Sequence, residues 1–123
     1  MNIALMIEDN EDNRVSMAIL LENGGYQVVE AETGDAGYQK AVAEQPDFIL
    51  LDIQLSDMNG IEVLKRLRAN SRTRQIPVIA VTSYAMSGDR QRFLAAGCNG
   101  YIEKPIDPLR VISQIQTILE KKP

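Results

Sequence analysis

The chain has no histidine and no tryptophan, a single cysteine, and only 5% aromatic residues in 123 positions. Each shortage removes a class of chemistry. Without histidine there is no Ser-His-Asp or Cys-His nucleophile system, and the commonest transition-metal ligand is missing. The lone Cys98 excludes an intramolecular disulfide and fits a reducing cytoplasm, and nothing of histidine type is present to activate it. No apolar run approaches the ~20 residues that span a bilayer. The start MNIALMIEDNED has no basic residue before a short apolar stretch and turns acidic at once, unlike a secretory signal. A cytoplasmic location without membrane insertion is expected. A formal charge of −4 and a pI near 4.8 argue against general nucleic-acid binding. The one basic run, KRLRANSRTR at 65–74, is expected to be a solvated helix end and loop.

What remains for chemistry is carboxylates, hydroxyls and lysine, a set suited to a hard cation such as Mg²⁺ or Mn²⁺ and to phosphoryl groups. The length, with 45% hydrophobic and 24% charged residues, fits one domain over 1–123 with a real core. No linker, repeat or low-complexity segment interrupts it.

Short apolar runs alternate with longer periodic ones. NIALMI (2–7), YQVVEA (26–31), DFILLD (47–52), IPVIAVT (76–82) and GYIEK (100–104) read as strands. The first, third and fourth are nearly continuous apolar runs, as in strands covered by helices on both faces. Between them, helical periodicity predicts helices over 13–23, 35–44, 59–69, 86–96 and 107–121. Val15, Ala18, Ile19 and Glu22 stand at helical spacing in the first, and Ile61, Leu64, Leu67 and Arg68 share one face of the third. The last carries Leu109, Ile112, Ile115 and Leu119 as an apolar stripe. Five strands alternating with five helices predict an α/β (βα)₅ chain with a parallel sheet.

Ligands of such sheets bind beyond the carboxyl ends of the strands. The predicted ends carry Glu8-Asp9, Asp52, Thr82-Ser83 and Lys104-Pro105. Three carboxylates, a hydroxyl and one ammonium thus converge on a single rim. Two carboxylates about 4 Å apart repel by ~4 kcal/mol at an effective dielectric near 20. Lys104 offsets one of the three charges, and a divalent cation would resolve the rest. Taken singly, each of these residues also has a bland role as a cap or turn former.

The segments IEDN, LLDIQLSDMNG, VTSYA and YIEKPID together resemble the receiver domain of response regulators in two-component signalling. They stand in the right order at the right strand ends, and the resemblance covers the whole chain. It implies a flavodoxin-like, doubly wound five-stranded sheet of order 2-1-3-4-5. It further implies that Asp52 accepts a phosphoryl group from a histidine kinase or histidine phosphotransfer protein. Asp9, Asp52 and the Gln54 backbone carbonyl would bind Mg²⁺, with Glu8 acting through water. Lys104 and Thr82 would take phosphoryl oxygens, Tyr101 would follow Thr82 as a switch aromatic, and Gln54 and Tyr84 would tune phosphoryl lifetime. Pro105 would follow a cis bond. Such a protein assists its own phosphorylation and dephosphorylation and is not a classical enzyme.

The expected output is a change in binding of a downstream protein through the fourth helix, fifth strand and fifth helix. That face carries Met86, Arg90, Tyr101 and Arg110. A stand-alone regulator is expected from the initiating Met1 and the final EKKP. The alternatives are a phosphorelay intermediate or phosphate sink, and a receiver fragment of a hybrid kinase. A phosphohydrolase of haloacid-dehalogenase type would want a second aspartate where Gln54 stands. A nucleotide or flavin module would want a glycine-rich or hydroxyl-rich loop in place of EDNEDN (8–13).

Overall fold

Alternate residues of the apolar runs point to opposite sides of one sheet, which is why those runs are continuous. The structure, a computed structural model, describes residues 2–83 and 87–120, without the side chains of 87–90. Its elements run β1 (Ile3–Ile7), α1 (Glu11–Asn23), β2 (Gln27–Ala31), α2 (Gly34–Glu44), β3 (Phe48–Asp52) and α3 (Gly60–Ala69). They continue with β4 (Val78–Thr82), α4 (Ser87–Ala95), β5 (Gly100–Glu103) and α5 (Val111–Glu120). The strands form one sheet of order β2-β1-β3-β4-β5, every neighbouring pair parallel.

Leu5, Ile7, Ile49, Leu51, Val78 and Ala80 face a layer built with Ala41, Val63, Leu64, Leu67 and Phe93 from α2, α3 and α4. Ala4, Met6, Phe48, Leu50, Ile79 and Val81 face the other way, onto Met17, Ala18 and Leu21 of α1 and Val111 and Ile115 of α5. Each large aliphatic side chain so buried contributes ~1.5–3 kcal/mol relative to exposure. Two full layers hold β1, β3 and β4 rigidly, and their carboxyl ends inherit that rigidity.

The helices differ from their sequence patterns in instructive ways. Helix α1 starts at Glu11 because the Asn10 side chain caps it, accepting from the Asn13 N–H at 2.9 Å. Its inward residues are Met17, Ala18 and Leu21, while Val15 and Ile19 are 51% and 53% exposed. The expected stripe is therefore rotated, and half of it forms an apolar surface. Helix α5 begins at Val111 rather than at 107. Asp107 captures the Leu109 N–H on its side chain and the Arg110 and Val111 N–H groups on its carbonyl, making a turn first. Leu109 falls in that turn and is 93% exposed. In α3 the buried face is Val63, Leu64 and Leu67, with Ile61 partly buried.

The basic run at 65–74 is only partly solvated. Arg68, half-buried, donates to the carbonyls of Thr73, Arg74, Ile76 and Gly97 and to the Asn99 side chain, at 2.8 to 3.4 Å. It ties the end of α3 to the entries of β4 and β5. Arg66 pairs with Asp35 at 3.3 Å and lies over the Tyr38 ring. Cys98 is buried, and burial pushes its thiol up, away from thiolate reactivity.

Candidate functional site

Parallel register sets the site. Ile7 of β1 lies beside Leu51 of β3, so the next residues, Glu8 and Asp52, leave the sheet side by side. Two strands along, Thr82 pairs with Glu103, so Lys104 emerges one residue beyond it. The Lys104 N–H still donates to the Thr82 carbonyl at 2.8 Å, and the Lys104–Pro105 peptide is cis, as expected.

Asp52 and Glu8 are only 4% and 6% exposed, an unusual burial for acids. Lys104 Nζ reaches Glu8 Oε1 at 3.1 Å and Asp52 Oδ2 at 3.3 Å. Glu8, Asp9 and Asp52 each offer one carboxylate oxygen to a cluster whose atoms lie within 4.8 Å of one another. Burial pushes the Glu8 carboxyl up from 4.5 to about 7, reinforced by hydrogen bonding to and repulsion from Asp52. Burial opposes the charge on Lys104, yet Asp52 and Glu8 outweigh it and hold the ammonium above its usual value. The cluster holds more negative charge than its single ammonium offsets.

The loop after β3 folds back on the site. The Gln54 N–H donates to Asp52 Oδ1 at 3.0 Å, fixing the oxygen that Lys104 does not hold. Gln54 and Asn59 form an isolated antiparallel bridge, and Asn59 caps α3 through the Ile61 N–H at 2.8 Å. Gly60 closes the loop by donating to the Ile53 carbonyl at 2.8 Å. A Cβ at Gly60 would sit 2.6 Å from Ile53 Cα and 2.8 Å from the Asp52 carbonyl oxygen. Only glycine lets α3 start this close to the aspartate's backbone.

The structure thus brings together Glu8, Asp9, Asp52, Lys104 and the Gln54 peptide. Thr82 is 1% exposed and lines a cleft of about 450 Å³ with Gln54, Asn59 and Arg92. Tyr101 stands beside Ala80 in the register and is partly buried against the α2–α4 layer. Ser83 and the Gln54 side chain are exposed. Tyr84 and Met86 lie outside the described residues, as does the Arg90 side chain; Arg110 is exposed.

Three contributors escaped sequence reasoning. Arg14 donates to the carbonyls of Glu8 at 3.0 Å and Asp9 at 3.3 Å, and pairs with Glu30 at 3.5 Å. Ser56 donates to Asp9 Oδ2 at 2.8 Å. Asp57 accepts from the first two N–H groups of α2, Gly34 at 2.9 Å and Asp35 at 3.3 Å, and the Gly34 N–H most of all holds its carboxyl low. Arg14 binds carbonyls, which no residue type flags. A hydroxyl and a carboxylate two and three places after Gln54 were the available signal for the other two.

A family model described as the response regulator receiver domain matches residues 4–116. The chain is 42% identical over 115 residues to the polar-differentiation response regulator DivK of Brucella ovis, covering 94% of each protein. The chemotaxis protein CheY4 of Vibrio cholerae superposes with a TM-score of 0.91 at 26% identity, covering 96% of this chain and 98% of that one. The receiver domain of the sensor histidine kinase PA1611 from Pseudomonas aeruginosa PAO1 superposes with a TM-score of 0.88 at 30% identity, covering 98% of both. That structure holds a magnesium ion coordinated in its active-site cleft.

Proposed function

This chain belongs to the response regulator receiver domain family, and from that premise we propose that Asp52 is its phosphoacceptor. A histidine kinase or histidine phosphotransfer protein supplies the phosphoryl group in a Mg²⁺-dependent transfer, and the state of Asp52 then sets the affinity of a downstream protein. One observation carries the reading. Asp52 is a buried carboxylate with Oδ1 fixed by the Gln54 N–H and Oδ2 by Lys104, set in a cluster with Glu8 and Asp9.

The residues fit the cation. Octahedral Mg²⁺ with oxygens at ~2.1 Å spans ~4.2 Å across, and the three carboxylate oxygens already lie within 4.8 Å. Asp9 and Asp52 would hold it, with the Gln54 carbonyl, while Glu8 acts through bound water. Bound there, Mg²⁺ would neutralise carboxylate charge and stabilise charge on the transferred group.

An Asp52 oxygen attacks the phosphorus of the donor phosphohistidine. The P–O bond forms as the P–N bond breaks, and the imidazole leaves with the electron pair. Asp52 needs no base, because an ionised carboxylate carries no proton to remove; positioning and charge do the catalysis. Lys104 shifts from Asp52 to a phosphoryl oxygen as a point charge. Thr82 donates its hydroxyl to another, and Tyr101 follows the space that Thr82 vacates. That change reaches the α4-β5-α5 face, where the downstream partner binds. The exposed Gln54 side chain, with Tyr84, tunes how long the acyl phosphate survives water.

A donor helix has a surface to meet. Val15 and Ile19 on α1 and Leu109 before α5 are exposed apolar groups, and a cavity of about 620 Å³ is lined by Met17, Leu20, Pro105 and Ile106 together with Glu8 and Lys104. The test is phosphorylation by acetyl phosphate with Mg²⁺, followed by mass spectrometry of wild type and Asp52→Asn. Loss of the phosphoryl mass in the variant is expected, and labelling that persists there refutes the assignment.

A further inference from the structure

Asp9 is the least buried acid of the cluster, yet two separate groups restrain it. Arg14 holds its carbonyl at 3.3 Å from α1, and the Ser56 hydroxyl holds its Oδ2 at 2.8 Å from the β3–α3 loop. Ser56 is itself exposed, so its own contacts alone do not explain why it is held in place. The next residue does. Asp57 receives the Gly34 and Asp35 N–H groups at the start of α2, at 2.9 and 3.3 Å, and pins the loop from outside the site. The Met58 side chain packs against Gly34, where an added Cβ would meet its Cγ at 2.7 Å. The loop therefore sits on α2 through residues 57 and 58 and reaches into the site through residue 56.

From this arrangement we infer that Ser56 is a positioning residue for the cation, holding Asp9 in its ligating orientation, and that Asp57 is the anchor that presents it. The inference rests on the cation site proposed above. A partially exposed aspartate without a partner samples several rotamers, and binding must then bear the cost of selecting one. With Oδ2 engaged by Ser56, the carboxylate is oriented before the cation arrives. Outer partners of metal ligands act in this way, and their loss weakens affinity by ~10–100-fold. The exposure of Ser56 puts it at the low end of that range.

The test is calorimetric titration of unphosphorylated protein with Mg²⁺ alone, for wild type, Ser56→Ala, Ser56→Thr, Asp57→Asn and the Ser56→Ala/Asp57→Asn double variant. Ser56→Ala is expected to weaken Mg²⁺ by about tenfold while leaving the urea midpoint of the metal-free protein unchanged. Ser56→Thr, which keeps the hydroxyl, is expected to restore affinity. Asp57→Asn is expected to weaken Mg²⁺ more in the wild-type background than when Ser56 is already alanine, since its effect passes through the hydroxyl. Unchanged affinity in Ser56→Ala overturns the inference. Tighter binding also overturns it, by showing that the hydroxyl competes with the cation for Asp9. Additive effects of the two substitutions remove Asp57 from its role. A wild type that binds no Mg²⁺ overturns the cation site itself, whereas normal wild-type binding with an indifferent Ser56 leaves that site standing.

Discussion

Replacing Glu8 by glutamine is expected to stabilise the metal-free protein, an unusual outcome for removing a charge from an ion pair. The Glu8 oxygen lies within 4.8 Å of oxygens on both Asp9 and Asp52, and each repels it by ~3.5 kcal/mol at an effective dielectric near 20. Lys104 at 3.1 Å attracts it by ~5 kcal/mol on the same scale. The balance opposes the charge by about 2 kcal/mol even before desolvation of a buried carboxylate is counted. The rise of its pKa from 4.5 to about 7, caused first by burial and then by Asp52, points in the same direction. Solvent at the rim screens part of this, and the amide hydrogen-bonds Asp52 and Lys104 less strongly than the acid did. A net gain of about 1–2 kcal/mol, or roughly 3–8 °C in Tm, is expected.

The sign with pH follows from linkage. The folded state binds a proton at Glu8 more tightly than the unfolded state, so wild-type stability falls as pH rises through about 7. The advantage of Glu8→Gln over wild type should therefore be full near pH 8, shrink between pH 7 and 4.5, and vanish below. Urea denaturation of both proteins in excess chelator at pH 8, 6 and 4.5 measures this. Saturating Mg²⁺ at pH 8 should then narrow or reverse the gap. A cation at 100 times its dissociation constant stabilises the native state by ~2.7 kcal/mol, and the variant binds it less well. A variant less stable than wild type at pH 8 without metal, or a gap that does not change with pH, refutes the charge argument.

Gly60→Ala should cost about 2–3 kcal/mol, because its methyl meets the Ile53 and Asp52 backbone rather than a movable side chain; urea denaturation checks this, and unaltered stability would contradict it. Arg68→Ala should destabilise by about 2–3 kcal/mol, as carbonyls from two segments lose a charged donor. Chemical denaturation decides it, and a loss below 1 kcal/mol would show that water replaces the guanidinium without cost. Thr82→Ala should still be phosphorylated at Asp52 yet lose most of the change in partner affinity that beryllofluoride produces in wild type. Equal switching in both would remove Thr82 from the output path.

How far the sequence spoke depended on whether a signal was one of residue type or of geometry. Strand existence, order along the chain and the acids at strand ends were legible because buried parallel strands are continuously apolar, and a carboxylate closing such a run is conspicuous. The inward face of α1 was not. Val15 and Ile19 look like core residues by hydropathy, but Met17 and Leu21 fill the space beside the sheet and leave that pair exposed. The start of α5 is hidden in sequence because Asp107 spends a turn on side-chain and backbone capture before the helix begins. Arg68 looks solvated in sequence because only its charge shows there, and its carbonyl partners come from segments 5 to 29 residues away.

The site shows the same division one level down. Asp52, Glu8, Asp9 and Lys104 declare themselves by type and place, since Asp52 closes an apolar strand and the other three stand within two residues of the ends of theirs. Their orientation does not, because it is set by groups that violate nothing. A serine and an aspartate in a loop, an arginine on a helix and a glycine at the start of α3 are all ordinary where they stand. Yet Gln54 and Lys104 fix the two oxygens of Asp52, Ser56 and Arg14 fix Asp9, and Gly60 allows the loop to close on both. Reactive groups must break the local rules of burial to be useful, so sequence exposes them. The groups that aim them obey those rules, and only the fold reveals which of many permitted serines and arginines are within 3.5 Å of a carboxylate or its backbone.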